Sequence, residues 1–137
     1  MNIMKICLNF LVVLYLFSAC STESKRPQTA LDTGREFIRA TLDGDLDRAE
    51  TYLAADSLNK RIFASYREYY KTLKADQKNA YRKASYTVNS YRDLNDSAAV
   101  INYSNDYMKK PMDIKVIRQN GQWNIDFSYT SGDSVSE

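Results

Sequence analysis

Ile114-Lys115-Val116-Ile117-Arg118-Gln119-Asn120-Gly121-Gln122-Trp123-Asn124-Ile125-Asp126-Phe127 is the stretch that decides the fold. Asn-Gly between two alternating runs is the type I′ signal, because both central residues of that turn take positive φ and its twist matches the flanking strands. A two-residue loop fixes every cross-strand partner. Arg118 then faces Trp123, Val116 faces Ile125, Ile114 faces Phe127 and Met112 faces Tyr129, all on one side of the sheet. On the other side Gln119 pairs with Gln122, Lys115 with Asp126 and Asp113 with Ser128. This register gathers the large apolar groups on one face and sets opposite charges against each other on the other, so two criteria agree. Only Ile117 falls on the polar side, and Pro111 suits a strand start, where its missing amide costs least.

Upstream of the hairpin the same period of two recurs. Tyr86 and Val88 alternate with Thr87 and Asn89; after the turn signal Asp93-Leu94-Asn95-Asp96, the residues Ala99, Ile101 and Tyr103 alternate with Val100 and Asn102. A loop of two or of four residues puts Tyr86, Val88, Ile101 and Tyr103 on one face. Before Ala84 the apolar period is helical instead. Leu31, Gly34, Ile38 and Leu42, joined by Phe37, predict a first helix over Pro27 to Leu42. Leu46, Ala49 and Leu53 predict a short second one, capped by Asp45 or by Asp47, the latter at capping-box spacing from Glu50. Asp56-Ser57 caps a long third helix whose stripe is Leu58, Ile62, Tyr66, Tyr69 and Leu73, flanked by Phe63 and Tyr70.

Helices first and antiparallel strands after make an α+β domain, its N-terminal helices packed on a curved antiparallel sheet. The helices are unevenly charged. From Ser57 to Asp93 there are nine basic and three acidic residues, whereas Leu31 to Asp56 holds three basic and seven acidic ones. A solvated face including Lys60, Arg67, Lys71 and Lys74 that neutralises its acidic neighbours is favoured over a patch for anionic lipid headgroups. Asp43, Asp45 and Asp47 open like a calcium loop, but its glycine belongs sixth and its bidentate glutamate twelfth, where Gly44 is second and Ala54 is twelfth. No metal is assigned, and no cofactor.

The first residues read as a secretory signal: Lys5, an apolar run from Ile6 to Phe17, then Ser18-Ala19 before Cys20. Twelve positions interrupted by Asn9 fall short of the roughly 20 a membrane span needs. Leu16-Phe17-Ser18-Ala19-Cys20 resembles the bacterial lipobox, with its leucine one place early. That resemblance implies a cleaved lipoprotein signal peptide over residues 1–19, lipidation of Cys20, and a lipidated cysteine with a polar tether over 20–26. The domain then occupies 27–129, ahead of a flexible tail over 130–137. With Cys7 removed and Cys20 acylated, the mature chain holds no free thiol and no disulfide. The chain is expected to be lipid-anchored to the outer membrane. Surface-exposed lipoproteins of some Gram-negative groups resemble one another in an acidic cluster just after the cysteine, whereas here Glu23 stands alone before Lys25 and Arg26, which favours facing the periplasm. A periplasmic address and a nearly balanced charge argue against nucleic acid.

Composition narrows the chemistry. With 44% hydrophobic and 26% charged residues the chain reads as one ordinary folded domain rather than a disordered one. It contains no histidine, which removes the commonest general base, the commonest metal ligand and every Ser/His or Cys/His pair.

Phe37 followed by Gly44-Asp45-Leu46 and Ala49, then Asp96-Ser97-Ala98-Ala99-Val100, then Gly121-Gln122-Trp123-Asn124-Ile125, resembles the nuclear transport factor 2-like superfamily of cystatin-like α+β cones. Within it the chain is most similar to small bacterial lipoproteins without an established function. The resemblance spans roughly Pro27 to Tyr129 and implies a pocket between the long helix and the concave sheet. Phe37, Tyr66, Tyr70, Tyr86, Tyr103 and Trp123 are the candidate lining. A non-enzymatic module for a hydrophobic or glycan-like ligand, or for an envelope protein, is the favoured function. The alternative is a pocket enzyme of the isomerase or cyclase type. Those enzymes use a carboxylate or histidine base with tyrosine donors, and here the register turns Asp113 and Asp126 away from the concave side. Tyr52, Tyr81, Tyr91 and Tyr107 remain uncommitted to the core, and three of them coplanar would favour glycan binding.

Overall fold

A computed structural model describes residues 25–132. The signal sequence, Cys20, the first part of the tether and the last five residues lie outside the described residues. Helices come first: α1 (Ala30–Asp43), α2 (Leu46–Glu50), α3 (Ser57–Thr72) and α4 (Ala75–Lys83). Strands β1 (Tyr86–Asn95), β2 (Ala98–Asn105), β3 (Pro111–Gln119) and β4 (Gln122–Asp126) follow, and a last short helix, α5 (Phe127–Gly132), closes the described chain. The strands form an open antiparallel sheet in the order β1-β2-β3-β4. The protein is therefore α+β.

Each early helix is capped as its sequence allows. The Thr29 hydroxyl accepts from the Asp32 amide, Asp45 accepts from Arg48 and Asp56 from Asn59, satisfying amides that a helix N-terminus leaves open. Asp45, not Asp47, therefore caps α2. Asp47 and Glu50 do not box the helix but bind Arg67 of α3 at 2.7 and 2.6 Å. The basic face thus neutralises acidic neighbours at that point. Arg39 ties α1 to the end of α4 by donating to the carbonyls of Arg82 and Ala84.

The hairpin takes the predicted register from Gln119↔Gln122 to Lys115↔Asp126, with Asn120 at φ 51° and Gly121 at φ 76°. It stops there. Phe127, Ser128 and Tyr129 are helical, so the expected pairs of Ile114, Asp113 and Met112 with them do not form. Two features end the strand. The free edge of β4 is bridged by residues 52–54, Ile125 donating to the Tyr52 carbonyl at 2.7 Å and accepting from Ala54 at 2.9 Å. Beyond it, the side chain of buried Asn59 accepts the Ser128 amide at 2.9 Å. The turn of the chain carries the Phe127 ring to Phe63, Phe37 and Tyr66, at centroid distances of 5.3, 5.9 and 5.9 Å.

In β1 and β2 the loop is two residues long and Val88 sits opposite Tyr103, with an irregularity between Val88 and Ser90. Ile101 and Tyr103 are buried; Tyr86 and Val88 pack against the same core. The α1 helix crosses this face so closely that a β-carbon on Gly34 would collide with the Ile101 side chain. Two helical expectations are corrected. The stripe of α3 is centred on Asn59, Phe63, Tyr66 and Tyr70, leaving Leu58 44% and Tyr69 56% exposed. A separate helix, α4, also precedes the strands, anchored by Tyr81 and missed because the rest of it is polar.

Candidate functional site

A cavity of about 470 Å³ lies between the helices and the β2–β3 face. Its floor is apolar: Phe37 of α1, Phe127 of α5, and Ile114 and Met112 of β3. Its polar side chains are those of Thr41, Asn102, Lys110, Asp113 and four tyrosines. Tyr66 and Tyr69 are supplied by α3, Tyr81 by α4 and Tyr103 by β2. The exposed Met108, Lys110 and Pro111, in and after the β2–β3 loop, border the opening.

Tyr66, Tyr81 and Tyr103 converge. Burial raises the pKa of each above the ordinary tyrosine value, most for Tyr66 and Tyr103, and charge on any one of the group would further oppose charge on its neighbours. All three stay protonated donors throughout the physiological range. None of the three hydroxyls bonds to a described residue, and none is among the buried polar atoms left without a partner. The Tyr81 ring is held by Tyr107, with centroids 4.2 Å apart, and by the edge of Tyr70 at 6.4 Å.

Of the six residues expected to line a pocket, Phe37, Tyr66 and Tyr103 are brought together here. The other three are not. Tyr70 packs behind the wall, under the Lys78 ammonium, while Tyr86 lies against the core on edge strand β1. Trp123 is at the hairpin end, its ring under the Arg118 guanidinium at 5.9 Å. Tyr81 was missed as a lining residue because the rest of its helix is polar.

Asp113 departs from expectation. It keeps the outward register of Lys115, yet β4 ends before reaching it, and Asp113 with its bonding partner Asn102 borders the cavity. Asp126 stays outside, bound to Lys115 at 3.3 Å and to the Ser128 hydroxyl at 2.6 Å. The uncommitted tyrosines do not form one platform. Tyr107 packs at a 46° tilt on the cavity-lining Tyr81, Tyr91 donates to Asp93 on β1, and Tyr52 lies buried beside Arg26.

Among the described residues no group of three or more acidic or thiol side chains is placed to hold a metal ion, and no helix is long and apolar enough to cross a membrane. No family model, curated protein or solved structure matches the chain.

Proposed function

We propose that the mature chain is an outer-membrane lipoprotein of the cell envelope, facing the periplasm through acylated Cys20. Its domain is a cystatin-like cone of the nuclear transport factor 2-like type that binds a ligand without transforming it. The observation carrying this reading is the apolar cavity with the tyrosine hydroxyls of Tyr66, Tyr81 and Tyr103 unbonded by described protein groups. Such a lining suits a flat or chain-like apolar molecule carrying one oxygen acceptor, because the rings supply area and the hydroxyls fix orientation. Catalysis would need a base. The carboxylate nearest the cavity, Asp113, is already engaged by Asn102 at the rim.

A thermal-shift screen of residues 21–137 against envelope lipids, sterols, bile acids and glycan fragments tests the reading. A ligand at 100 times its dissociation constant adds about 2.7 kcal/mol, and each kcal/mol moves the midpoint by about 4–8 °C in a domain near this size. A shift that disappears when Tyr66, Tyr81 and Tyr103 are all phenylalanine supports the cavity as the binding site. Silence across the screen sinks it.

A further inference from the structure

Arg26 is not part of a free tether. Its guanidinium donates to the Thr51 carbonyl at 2.9 Å, to the Asn124 side chain at 2.6 Å and to the Trp123 carbonyl at 3.4 Å, and it lies 5.7 Å from the centre of the Tyr52 ring. The chain is thus fastened to the hairpin end of the domain only six residues after Cys20. Six residues reach at most about 21 Å when fully extended. A domain of this size has a radius of gyration of about 13 Å and is wider than that reach. Its fastened end must stay nearest the lipid.

The cavity opens at the other end of β3. Pro111 borders the opening, and Arg118 and Trp123 face each other seven residues further along the strand, about 23 Å away at the ordinary strand rise. We infer that the anchored domain stands on its hairpin end, with half-buried Trp123 and exposed Arg118 at the phospholipid headgroups and the cavity mouth turned away from the anchoring membrane. This rests on the lipidation of Cys20 proposed above. Tryptophan and arginine suit that position, an indole preferring the interface and a guanidinium accepting phosphate oxygens. The consequence for the ligand is its route: it enters from the aqueous side or from a partner, not from the leaflet that holds the protein.

Trp123 is the single tryptophan and reports the hairpin end directly. The full chain, recovered from membranes and checked for acylation of Cys20 by mass spectrometry, is placed in phosphatidylcholine vesicles carrying nitroxide-labelled headgroups. Trp123 emission should be quenched at least threefold more than that of a Met108→Trp reporter in a Trp123→Phe background. Arg26→Ala should reduce the contrast to within a factor of two. Equal quenching at the two positions, or stronger quenching at 108, overturns the orientation; an unchanged contrast without Arg26 overturns the clamp as its cause. Unacylated Cys20 overturns the anchor reading and this one together, whereas acylated Cys20 with unquenched Trp123 overturns the orientation alone.

Discussion

The hydroxyl of Tyr70 fills the space that a β-carbon on Gly44 would need, so the end of α1 and the last turns of α3 meet where a side chain fits only if the Tyr70 phenol moves. Gly44 also has φ 75°, and its amide reaches back to the carbonyls of Ala40 and Thr41 to close the helix.

Gly44→Ala should therefore destabilise twice over. Left-handed backbone costs about 1–2 kcal/mol for a residue with a β-carbon, and overpacking adds about 1–3. Urea denaturation should give a total loss of about 2–5 kcal/mol. Tyr70→Phe removes the clashing oxygen, so the double variant should recover about 1 kcal/mol relative to the sum of the two single changes. Strict additivity would mean that the two residues do not meet.

Asn59 joins helix α3 to the end of the sheet. Its amide group donates to Asp56 at 2.6 Å and accepts from Ser128 at 2.9 Å, and it is buried. Asn59→Ala leaves the Ser128 amide without this partner and should cost about 1–3 kcal/mol by chemical denaturation.

Asp56 makes that junction sensitive to acid. The Asn59 backbone amide, then its side chain, hold the Asp56 pKa below the ordinary carboxylate value. A depressed folded value contributes stability above the unfolded value, about 3.9, that is lost as pH falls through the folded one. Asp56→Ser keeps a capping oxygen but cannot titrate. The stability gap between the two proteins should be widest above pH 5 and shrink as pH is lowered to 2; a constant gap would remove the acid-sensitive role.

Phe127 belongs to a cluster of rings and should behave as core despite its place near the end of the described chain. Phe127→Ala should cost about 3–5 kcal/mol, as large-to-small changes at buried aromatics do. Loss of near-ultraviolet circular dichroism with retained secondary structure would show that the ring, not the α5 backbone, holds the cluster. A cost below 1 kcal/mol would place it outside the core.

The register of β3 and β4 was legible because Asn120-Gly121 determines it locally. The end of β4 was not, because the forces that turn Phe127 inward come from Tyr52, Ala54 and Asn59, some 70 residues away in sequence. Hydropathy likewise counted Leu58 and Tyr69 into the stripe of α3. It passed over Asn59, whose burial depends on hydrogen bonds to Asp56 and Ser128 rather than on apolarity. Phe37, Tyr66 and Tyr103 were placed in a pocket by their apolar stripes together with the resemblance that implied one, but Tyr81 needed a helix that its polar neighbours concealed. Arg26 read as tether because its partners, Thr51, Trp123 and Asn124, are brought to it only by the tertiary fold.

The cavity tyrosines separate stability from binding. Because the hydroxyls of Tyr66, Tyr81 and Tyr103 bond to no described residue, replacing all three by phenylalanine removes no native hydrogen bond seen there. Urea denaturation at pH 7 should change by less than about 1 kcal/mol, in contrast to a typical buried hydroxyl with a partner, which is worth about that much alone. At high pH the two proteins should diverge. Tyrosines whose folded pKa is raised give stability that is complete below the unfolded value, near 10, and is lost as pH climbs through the folded values. Wild type should therefore lose stability between pH 10 and 12 more steeply than the triple variant. Tyr91, raised to about 12 chiefly by donating to Asp93, titrates in both and provides an internal reference by absorbance at 295 nm. Parallel alkaline curves would show that the three hydroxyls are solvated, and the cavity would then lack its recognition element.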